Sequence, residues 1–390
     1  MCPSEPIDIV YLWVDGNDPT WRDKRRRAAQ GLSPAQRVNI APHANVEGRF
    51  RDNDELRFSL RALETHFPQH GHVYIVTDGQ SPVWLRPDAR LSLVDHRDLI
   101  PRAALPTFDS GNIESYIHRI PGLSERYFYF NDDVFFGAPV HTEDWFWDGG
   151  IYAAWSAEAA VSDEPPKPHG SALGNACRRS IQWLDAAGAA AAPPQAAAHP
   201  RCSRYRHTFR TFAHAPRPML KSMLFELEGI APELFEAVRS TVFRDWAKPT
   251  IVSDFVMRWA LAHGRARVRD YRQLHVSSGA DDSVESLHQL SRQAGALDFF
   301  CVNDTTDDAP VNDPRLARVR TGLQALLARP SSFEQARGDP GRLAAPGRAA
   351  GVRSGRHELA TASASTLPCA AGLTTARRWN NAETKLSVRG

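Results

Sequence analysis

The most aromatic strand-like segment of the chain ends in three polar residues. Residues 127–130 are Tyr-Phe-Tyr-Phe, and Asn131, Asp132 and Asp133 follow them directly. Ligands of open α/β sheets bind beyond the carboxyl ends of the strands, which is where this segment would present the three side chains. Adjacent carboxylates there can hold Mg²⁺ or Mn²⁺, hard cations that keep positions free for phosphate oxygens. Taken alone, the triplet is more simply a polar turn after an edge strand.

A second acidic strand end favours the metal site over the polar turn. The β-rich run at residues 7–14 is followed by Asp15 and then by Asp18. The intervening Gly-Asn is by itself typical of a tight turn. If the two strands are parallel, however, their carboxylates meet in one crevice, as the binding of a metal and a diphosphate requires.

Basic side chains cluster at the start of the first long helical pattern. They are Arg49, Arg51, Arg57 and Arg61. Arg51 precedes the helix, where its guanidinium could point at a phosphate together with the helix N-terminus. Arg57 and Arg61 are more simply members of a solvated helix face.

Two histidines and a further strand-like run complete the candidate residues. His118 or His214 could act as a general base, although a surface or core role is the commoner one for any of the fifteen histidines. Asn303 and Asp304 end the further run, in which Cys301 has apolar neighbours and is expected to pack rather than react.

The pattern around these residues predicts a parallel sheet covered by helices. The strand-like runs are residues 7–14, 72–77, 91–94 and 127–130. Leu56, Leu60 and Leu63 recur at helical spacing between the first two runs, and such alternation is typical of α/β proteins. We divide the chain into an α/β part (residues 1–155), an Ala/Pro-rich insertion (156–205), a helical part (206–334) and a disordered tail with few bulky apolar residues (335–390).

Composition excludes several classes of protein. The net charge of +2 over 390 residues gives no reason to expect a nucleic-acid partner. The chain has no apolar run of about 18 residues, so no membrane-spanning segment is expected. Five scattered cysteines without a Cys-x-x-Cys spacing argue against a disulfide framework or a structural zinc site. We expect a cytoplasmic protein, with peripheral attachment to the inner face of the membrane as an alternative.

Taken together, these stretches resemble the Stealth family of sugar-phosphate transferases. That family includes bacterial capsular polysaccharide phosphotransferases and the catalytic subunit of the animal N-acetylglucosamine-1-phosphotransferase. The first block reads IDIVYLWVDGNDPTW. The four blocks, in the family's order, lie at residues 7–21, within 49–137, within 213–246 and at 299–304, and residues 330–334 resemble the family's usual ending. Motifs of this length in this order are very specific.

The resemblance implies both a fold and a reaction. The fold would be Rossmann-like, with a mostly parallel sheet that binds the nucleotide sugar and a helical C-terminal part that folds back to complete the active site. The reaction would transfer a hexose-1-phosphate from a nucleotide-diphosphate sugar, a UDP-hexose or UDP-N-acetylhexosamine, to a glycan hydroxyl. A nucleoside monophosphate would be released, with Mg²⁺ or Mn²⁺ as cofactor, in capsular or exopolysaccharide synthesis.

The resemblance also assigns roles to single residues. His214 would be the base, Asp132 and Asp133 would hold the metal, and Arg244 would clamp the phosphate. The residues expected to bind substrate are Asp18, Arg51, His118, Asn131, Asn303 and Asp304.

Two other functions remain open from the residues alone. A metal-dependent glycosyltransferase would use the same acidic strand ends and the same donor, but would attack the anomeric carbon and release the nucleoside diphosphate. A non-catalytic nucleotide-sugar-binding module would keep the pocket without turnover, although the combination of histidine, arginine and acidic groups argues against it.

Overall fold

The computed structural model of the chain describes residues 5–191, 208–307, 309–310 and 313–335. Its strands are β1 (Asp8–Leu12), β2 (Val73–Thr77), β3 (Leu91–Asp95), β4 (Arg126–Asn131), β5 (Val134–Phe136), β6 (Phe146–Trp147), β7 (Gly150–Ala153), β8 (Arg217–Leu220), β9 (Ala266–Val268), β10 (Gln273–Ser277) and β11 (Phe299–Asn303). Its helices are α1 (Pro19–Gly31), α2 (Pro34–Val38), α3 (Glu55–His66), α4 (His96–Leu99), α5 (Ser110–Glu114), α6 (Ala172–Ala191), α7 (Lys221–Ile230), α8 (Pro232–Arg239), α9 (Val256–Ala262), α10 (Ser283–Arg292) and α11 (Pro314–Leu326).

Strand β1 lies at the centre of the main sheet, whose strand order is β3-β2-β1-β4-β8. Strands β2 and β4 flank β1 and run parallel to it, β3 runs parallel to β2, and β8 is antiparallel to β4. Nearly all residues of β1, β2 and β4 are buried, as expected for parallel strands covered on both faces. The predicted α/β fold with a mostly parallel sheet is therefore confirmed. The proposed division of the chain into four parts stays a prediction.

The acidic turn after β4 joins the main sheet to a second one. Strand β5 begins directly after Asp133 and pairs antiparallel with β11, which runs parallel to β10. The amide of Val302 in β11 donates to the backbone carbonyl of Asp133 at 2.9 Å. The turn at residues 132–133 is therefore held between two sheets.

Helix α3 packs its apolar face on the main sheet. Leu56, Leu60 and Leu63 are fully buried in the core that also contains β1 and β4, as their spacing predicts. The prediction for the opposite face was wrong. Arg61 is buried, and its guanidinium bonds to Glu334 at 2.6 and 2.8 Å and to the carbonyl of Leu327 at 2.8 Å.

The chain after α11 returns across α3, and this is why the arginines of that face are not solvated. Arg57 also bonds to the Glu334 carboxylate, at 2.5 Å. Although burial opposes the charged form, the hydrogen bonds from Arg61 and Arg57 lower the pKa of Glu334 to about 2. A guanidinium can be buried only when a negative charge and hydrogen-bond acceptors lie against it. The charged face of α3 is therefore an internal contact.

Part of the predicted insertion has regular structure. Helix α6 occupies residues 172–191 and packs against α9 and the π-helical turn Ile251–Phe255. The rings of Trp183 and Phe255 lie 5.1 Å apart, edge to face. Residues 192–205 of that segment lie outside the described residues.

The predicted tail, residues 335–390, lies outside the described residues except for Gln335. The amide of Gln335 donates to the carbonyl of Trp84 at 2.9 Å. None of the helices in the described part of the chain has the length and apolar character needed to cross a bilayer.

Candidate active site at the end of β4

Four carboxylates crowd together where β4 leaves the main sheet. Asp132 and Asp133 form the turn after β4, Asp52 lies just before α3, and Glu55 is the first residue of α3. Burial raises the pKa of Asp132 well above its ordinary value, and Asp133, Glu55 and Asp52 raise it further. Buried like charges are costly unless a cation or a proton offsets them.

Asp52 and Glu55 belong to this group although they were not predicted from the sequence. Burial, with the nearby charges of Asp54 and Asp15, raises the pKa of Asp52 to about 6. Burial, with the charge of Asp52, raises the pKa of Glu55 to about 8. Three acidic residues within residues 52–55 were the signal that could have revealed them. Asp52 also connects the end of β1 to this group, because the charge of Asp15 helps to raise the pKa of Asp52.

The carboxylate group fits a hard divalent cation. Its donors are all oxygens, which is the donor set that Mg²⁺ and Mn²⁺ prefer. Asp133 Oδ1 is buried and has no hydrogen-bond partner among the described residues, so one oxygen is free for a ligand. Asp132 and Asp133 are the residues that could hold the ion, with Asp52 and Glu55 adding negative charge.

His214 lies beside this group, in the segment before β8. Its Nδ1 is 3.2 Å from Cys301 Sγ and 3.7 Å from Asp133 Oδ2. Its Nε2 contacts the side-chain amide nitrogen of Asn131. Burial lowers the pKa of His214, and the charge of Asp133 only partly opposes this. The imidazole is therefore neutral at neutral pH, which is the form that accepts a proton.

Asn131 is oriented by a buried tyrosine. The Tyr129 hydroxyl lies 2.7 Å from Asn131 Oδ1 and 2.9 Å from Glu114 Oε1. With its oxygen facing Tyr129, the Asn131 amide turns its N–H toward His214. That contact assigns Nε2 of His214 as the acceptor nitrogen and leaves the ring proton on Nδ1.

Two arginines lie close together and near Glu114. The guanidiniums of Arg49 and Arg244 both donate to Ser110 Oγ, at 3.1 and 2.7 Å. Arg244 Nε is 3.5 Å from Asp109 Oδ1, whereas the described residues provide no ion pair for Arg49. Burial and the neighbouring Arg244 lower the pKa of Arg49 to about 10. Two cations that share one hydroxyl could also donate to an anion with several oxygens.

Arg244 of this pair and His214 act on each other electrostatically. The positive charges of Arg217 and Arg244 help to lower the pKa of His214. Burial raises the pKa of Glu114, and the charges of the same two arginines partly oppose this. The structure thus brings together the predicted residues Asn131, Asp132, Asp133, His214 and Arg244, and adds Arg49, Asp52 and Glu55.

Asp18 lies at the adjoining edge of the sheet and caps α1. Its Oδ1 accepts from the amide of Thr20 at 2.8 Å, and its Oδ2 accepts from Gln80 Nε2 at 3.1 Å. The hydrogen bond from Gln80 lowers the pKa of Asp18. The side chain is partly exposed and remains ionised.

Arg51 and Asp304 bind each other. Arg51 Nη1 is 2.5 Å from Asp304 Oδ2, and its Nη2 donates to the carbonyl of Ala309 at 2.9 Å. Asn53 also donates to Asp304 Oδ2, at 3.2 Å, and holds Glu55 through its side-chain amide at 2.8 Å. Arg51 and Asp304 thus fix the start of α3 against the end of β11 and, through Asn53, position Glu55.

Asn303 and His118 have different surroundings. Asn303 is the last residue of β11, and its carbonyl accepts from Ser278 at 3.0 Å. His118 is fully buried, with Nε2 2.8 Å from Glu228 Oε2 in α7. Burial lowers the pKa of His118 to about 4. Within the described part of the chain, no contact of His118 joins it to the carboxylates or to the arginine pair.

Comparison with known proteins adds independent information. Stealth protein conserved region 1 matches residues 5–33, and conserved region 2 matches residues 49–153. An exopolysaccharide phosphotransferase of Streptomyces coelicolor is 36% identical over 339 residues, which are 85% of this chain and 52% of that protein. The exopolysaccharide phosphotransferase CpsY of Mycobacterium tuberculosis is 30% identical over 339 residues, 86% of this chain and 59% of that protein.

Two further comparisons are more limited. The capsular polysaccharide phosphotransferase cps12A of Actinobacillus pleuropneumoniae is 39% identical over 158 residues, 40% of this chain and 42% of that protein. The crystal structure of the galactosyltransferase LgtC with donor and acceptor sugar analogues covers 83% of this chain and 95% of its own at 10% identity. Its TM-score of 0.38 is too low to establish a common fold.

The chain spans about half the length of the relatives that it matches over most of its own residues. The two matched conserved regions contain the β1 end, the arginines before α3 and the acidic turn after β4. The chain therefore carries conserved regions 1 and 2 of the Stealth proteins, and the family resemblance seen in its sequence is confirmed.

Proposed function

We propose that the protein transfers a hexose-1-phosphate from a nucleotide-diphosphate sugar to a hydroxyl of a glycan acceptor and releases a nucleoside monophosphate. The observation that carries this proposal is a neutral imidazole, His214, beside a carboxylate group, with two neighbouring arginines near Glu114. The names of the relatives in Streptomyces and Mycobacterium support it. Those names also connect the relatives to exopolysaccharides, which supports a glycan as the acceptor.

The charge distribution suits a diphosphate substrate. Asp132 and Asp133 would hold Mg²⁺ or Mn²⁺, which would offset the negative charge of the diphosphate when bound. Arg49 and Arg244 would donate to oxygens of the transferred phosphate. Their shared Ser110 hydroxyl is a weak partner for two cations, so a phosphate would replace it with stronger, charge-assisted bonds.

His214 would remove the proton from the acceptor hydroxyl. Its Nε2 accepts from the Asn131 amide in the present arrangement and would exchange that partner for the acceptor hydroxyl. Asp133 Oδ2, 3.7 Å from Nδ1, would stabilise the imidazolium that forms. The acceptor oxygen then attacks the sugar-linked phosphorus as the bond to the leaving nucleotide breaks. The phosphorus stays with the sugar, so the product is a phosphodiester.

The donor we propose is a UDP-hexose or UDP-N-acetylhexosamine, and the acceptor is a growing glycan. Asp18, at the edge of the sheet beside the site, would contact the donor. Asn131 would help to place the acceptor hydroxyl by giving up its contact with Nε2 of His214 and donating to the hydroxyl oxygen instead. Arg51 and Asp304 would act indirectly, by fixing the start of α3, where Glu55 lies.

The experiment that tests this function is product identification. Purified protein is incubated with Mg²⁺, a glycan acceptor and each of a panel of nucleotide sugars, and the nucleotides are separated by chromatography. We expect a nucleoside monophosphate that requires the acceptor and is absent with the Asp133→Asn variant. Release of the diphosphate would favour a glycosyltransferase, and no turnover with any donor would favour a binding module.

A further inference from the structure

A second group of possible ligands lies at Nδ1 of His214, next to Asp133, and its donors are nitrogen and sulfur. One ring nitrogen each of His214 and His275 and the sulfur of Cys301 lie within 4.8 Å of one another. Cys301 is buried, whereas His275 is exposed, so the group connects the active site to solvent.

The strand register holds two of these side chains in place. His275 in β10 is the direct partner of Cys301 in β11, and the two strands are parallel. In-register residues of adjacent strands point to the same face of a sheet. Cys301 is also paired with Val134 of β5, the residue after Asp133. The sheet therefore presents the imidazole of His275 and the thiol of Cys301 side by side without any rearrangement.

His214 completes the group from the main sheet. Its Nδ1 lies 3.2 Å from Cys301 Sγ, and its ring centroid lies 6.5 Å from that of His275. Asp133 Oδ2 lies 3.5 Å from Cys301 Sγ and 3.7 Å from His214 Nδ1. Two imidazoles, one thiol and a nearby carboxylate are the ligands that Zn²⁺ takes in tetrahedral sites. Mg²⁺ prefers oxygen and would not compete for them.

We propose that His214, His275 and Cys301 bind Zn²⁺ or a similar thiophilic divalent cation, and that this binding inhibits the enzyme. On binding, the Cys301 thiol loses its proton to solvent and coordinates as the thiolate. His214 coordinates through Nδ1, so the ring proton moves to Nε2, and the Asn131 amide turns so that its oxygen accepts from Nε2. Nε2 is then a donor and cannot accept a proton from the acceptor hydroxyl. The inhibitory effect rests on the proposed function, whereas the metal site does not.

Metal binding is measured first, without any assay of transfer. Co²⁺ is titrated into the full chain, because a cobalt–thiolate bond gives a near-ultraviolet charge-transfer band. We expect this band in the unaltered protein, its loss in Cys301→Ser, and at least tenfold weaker binding in His275→Ala. The control is His288→Ala, which removes an exposed histidine of α10 and should bind Co²⁺ normally. Absence of the band in the unaltered protein, or an unchanged affinity in His275→Ala, would overturn the site.

Inhibition is measured second, with Mg²⁺ in excess. Zn²⁺ should inhibit sugar-phosphate transfer, and His275→Ala should need at least tenfold more Zn²⁺ while keeping its basal rate. Equal inhibition of His275→Ala and the unaltered protein would refute the inhibitory role. If no transfer is found with any donor, the cobalt titration alone decides the metal site, and the proposed function fails separately.

Discussion

Nδ1 of His214 lies 3.7 Å from Oδ2 of Asp133, although one residue precedes the antiparallel edge strand and the other follows the neighbouring parallel strand. This pair joins the carboxylate group to the candidate base. The other carboxylate oxygen, Oδ1, is buried and has no partner among the described residues. Asp133 can therefore support a metal ion with one oxygen and an imidazolium with the other.

Replacing His214 should remove the base and leave donor binding intact. We expect His214→Gln to lower kcat by at least about 100-fold with little change in the dissociation constant of the donor, measured by calorimetry. The control is His118→Gln, which should keep its kcat but melt at a lower temperature because His118 is buried against Glu228. Normal turnover in His214→Gln would exclude His214 as the base, and a lower kcat in a stably folded His118→Gln would show that His118 also takes part in the reaction.

The pH profile should report the neutral form of His214. Because burial lowers its pKa below 6.5, the imidazole loses its basic form only below that pH. With Mg²⁺ saturating at every pH, we expect kcat/KM to be flat from pH 8 to 6.5 and to fall in more acidic buffer. This fall of kcat/KM at acidic pH should be absent from the residual activity of His214→Gln. A fall centred above pH 7 would contradict the assignment.

Metal affinity should weaken on acidification. The raised pKa values of Asp132, Asp52 and Glu55 mean that protons compete with the ion near neutrality. We expect the dissociation constant for Mg²⁺ to rise steadily from pH 8 to pH 6, as measured by calorimetry. Asp132→Asn should bind Mg²⁺ at least tenfold more weakly and lose transfer, as the unaltered protein should in EDTA. Full activity in EDTA would remove the metal from the mechanism.

Without a bound metal, ionisation of the carboxylate group should lower the stability of the folded protein as pH rises. The pKa of Asp52 is raised to about 6 from a value near 3.9 in an unfolded chain, so the folded state loses stability as pH rises from about 4 to 6. Asp52→Asn should therefore raise Tm in EDTA at pH 8 and have little effect at pH 4. A lower Tm of the variant at pH 8 would show that Asp52 is stabilised as a charge.

The arginine pair should require the planar guanidinium. Arg49→Lys and Arg244→Lys keep the charge but lose bidentate bonding, and we expect each to lower kcat/KM for the donor by about tenfold or more. Arg292→Lys, in an exposed ion pair with Glu285, is the matched control and should be unchanged. If Arg49→Lys behaved like the control, the phosphate site would consist of Arg244 alone.

Several parts of the site follow from sequence because they depend on local pattern. The apolar runs predict β1, β2 and β4, and strands in parallel register must deliver their following residues to one edge. This is why the sequence alone places Asp15 and the turn at residues 132–133 in one region, where the structure also has them. The apolar spacing of α3 likewise predicts its buried face.

Other parts depend on contacts between distant segments and leave little local trace. Arg61 has the sequence setting of a surface residue and is buried only because Glu334 returns to it. Arg49 is separated in sequence from Arg244, and they meet through Ser110. The sequence offers both His118 and His214 as candidate bases, and only contacts between distant segments distinguish them: His118 is buried against Glu228 of α7, whereas His214 lies beside Asp133.

The proposed function requires that phosphorus moves with the sugar, and the fate of that one atom is a decisive test. The protein is incubated with Mg²⁺, a glycan acceptor and UDP-N-acetylglucosamine, or another donor that it accepts, labelled with ³²P at the sugar-linked phosphate. We predict that the label enters the glycan as a phosphodiester while an equal amount of UMP is released. Label recovered in UDP, with none in the glycan, would contradict sugar-phosphate transfer.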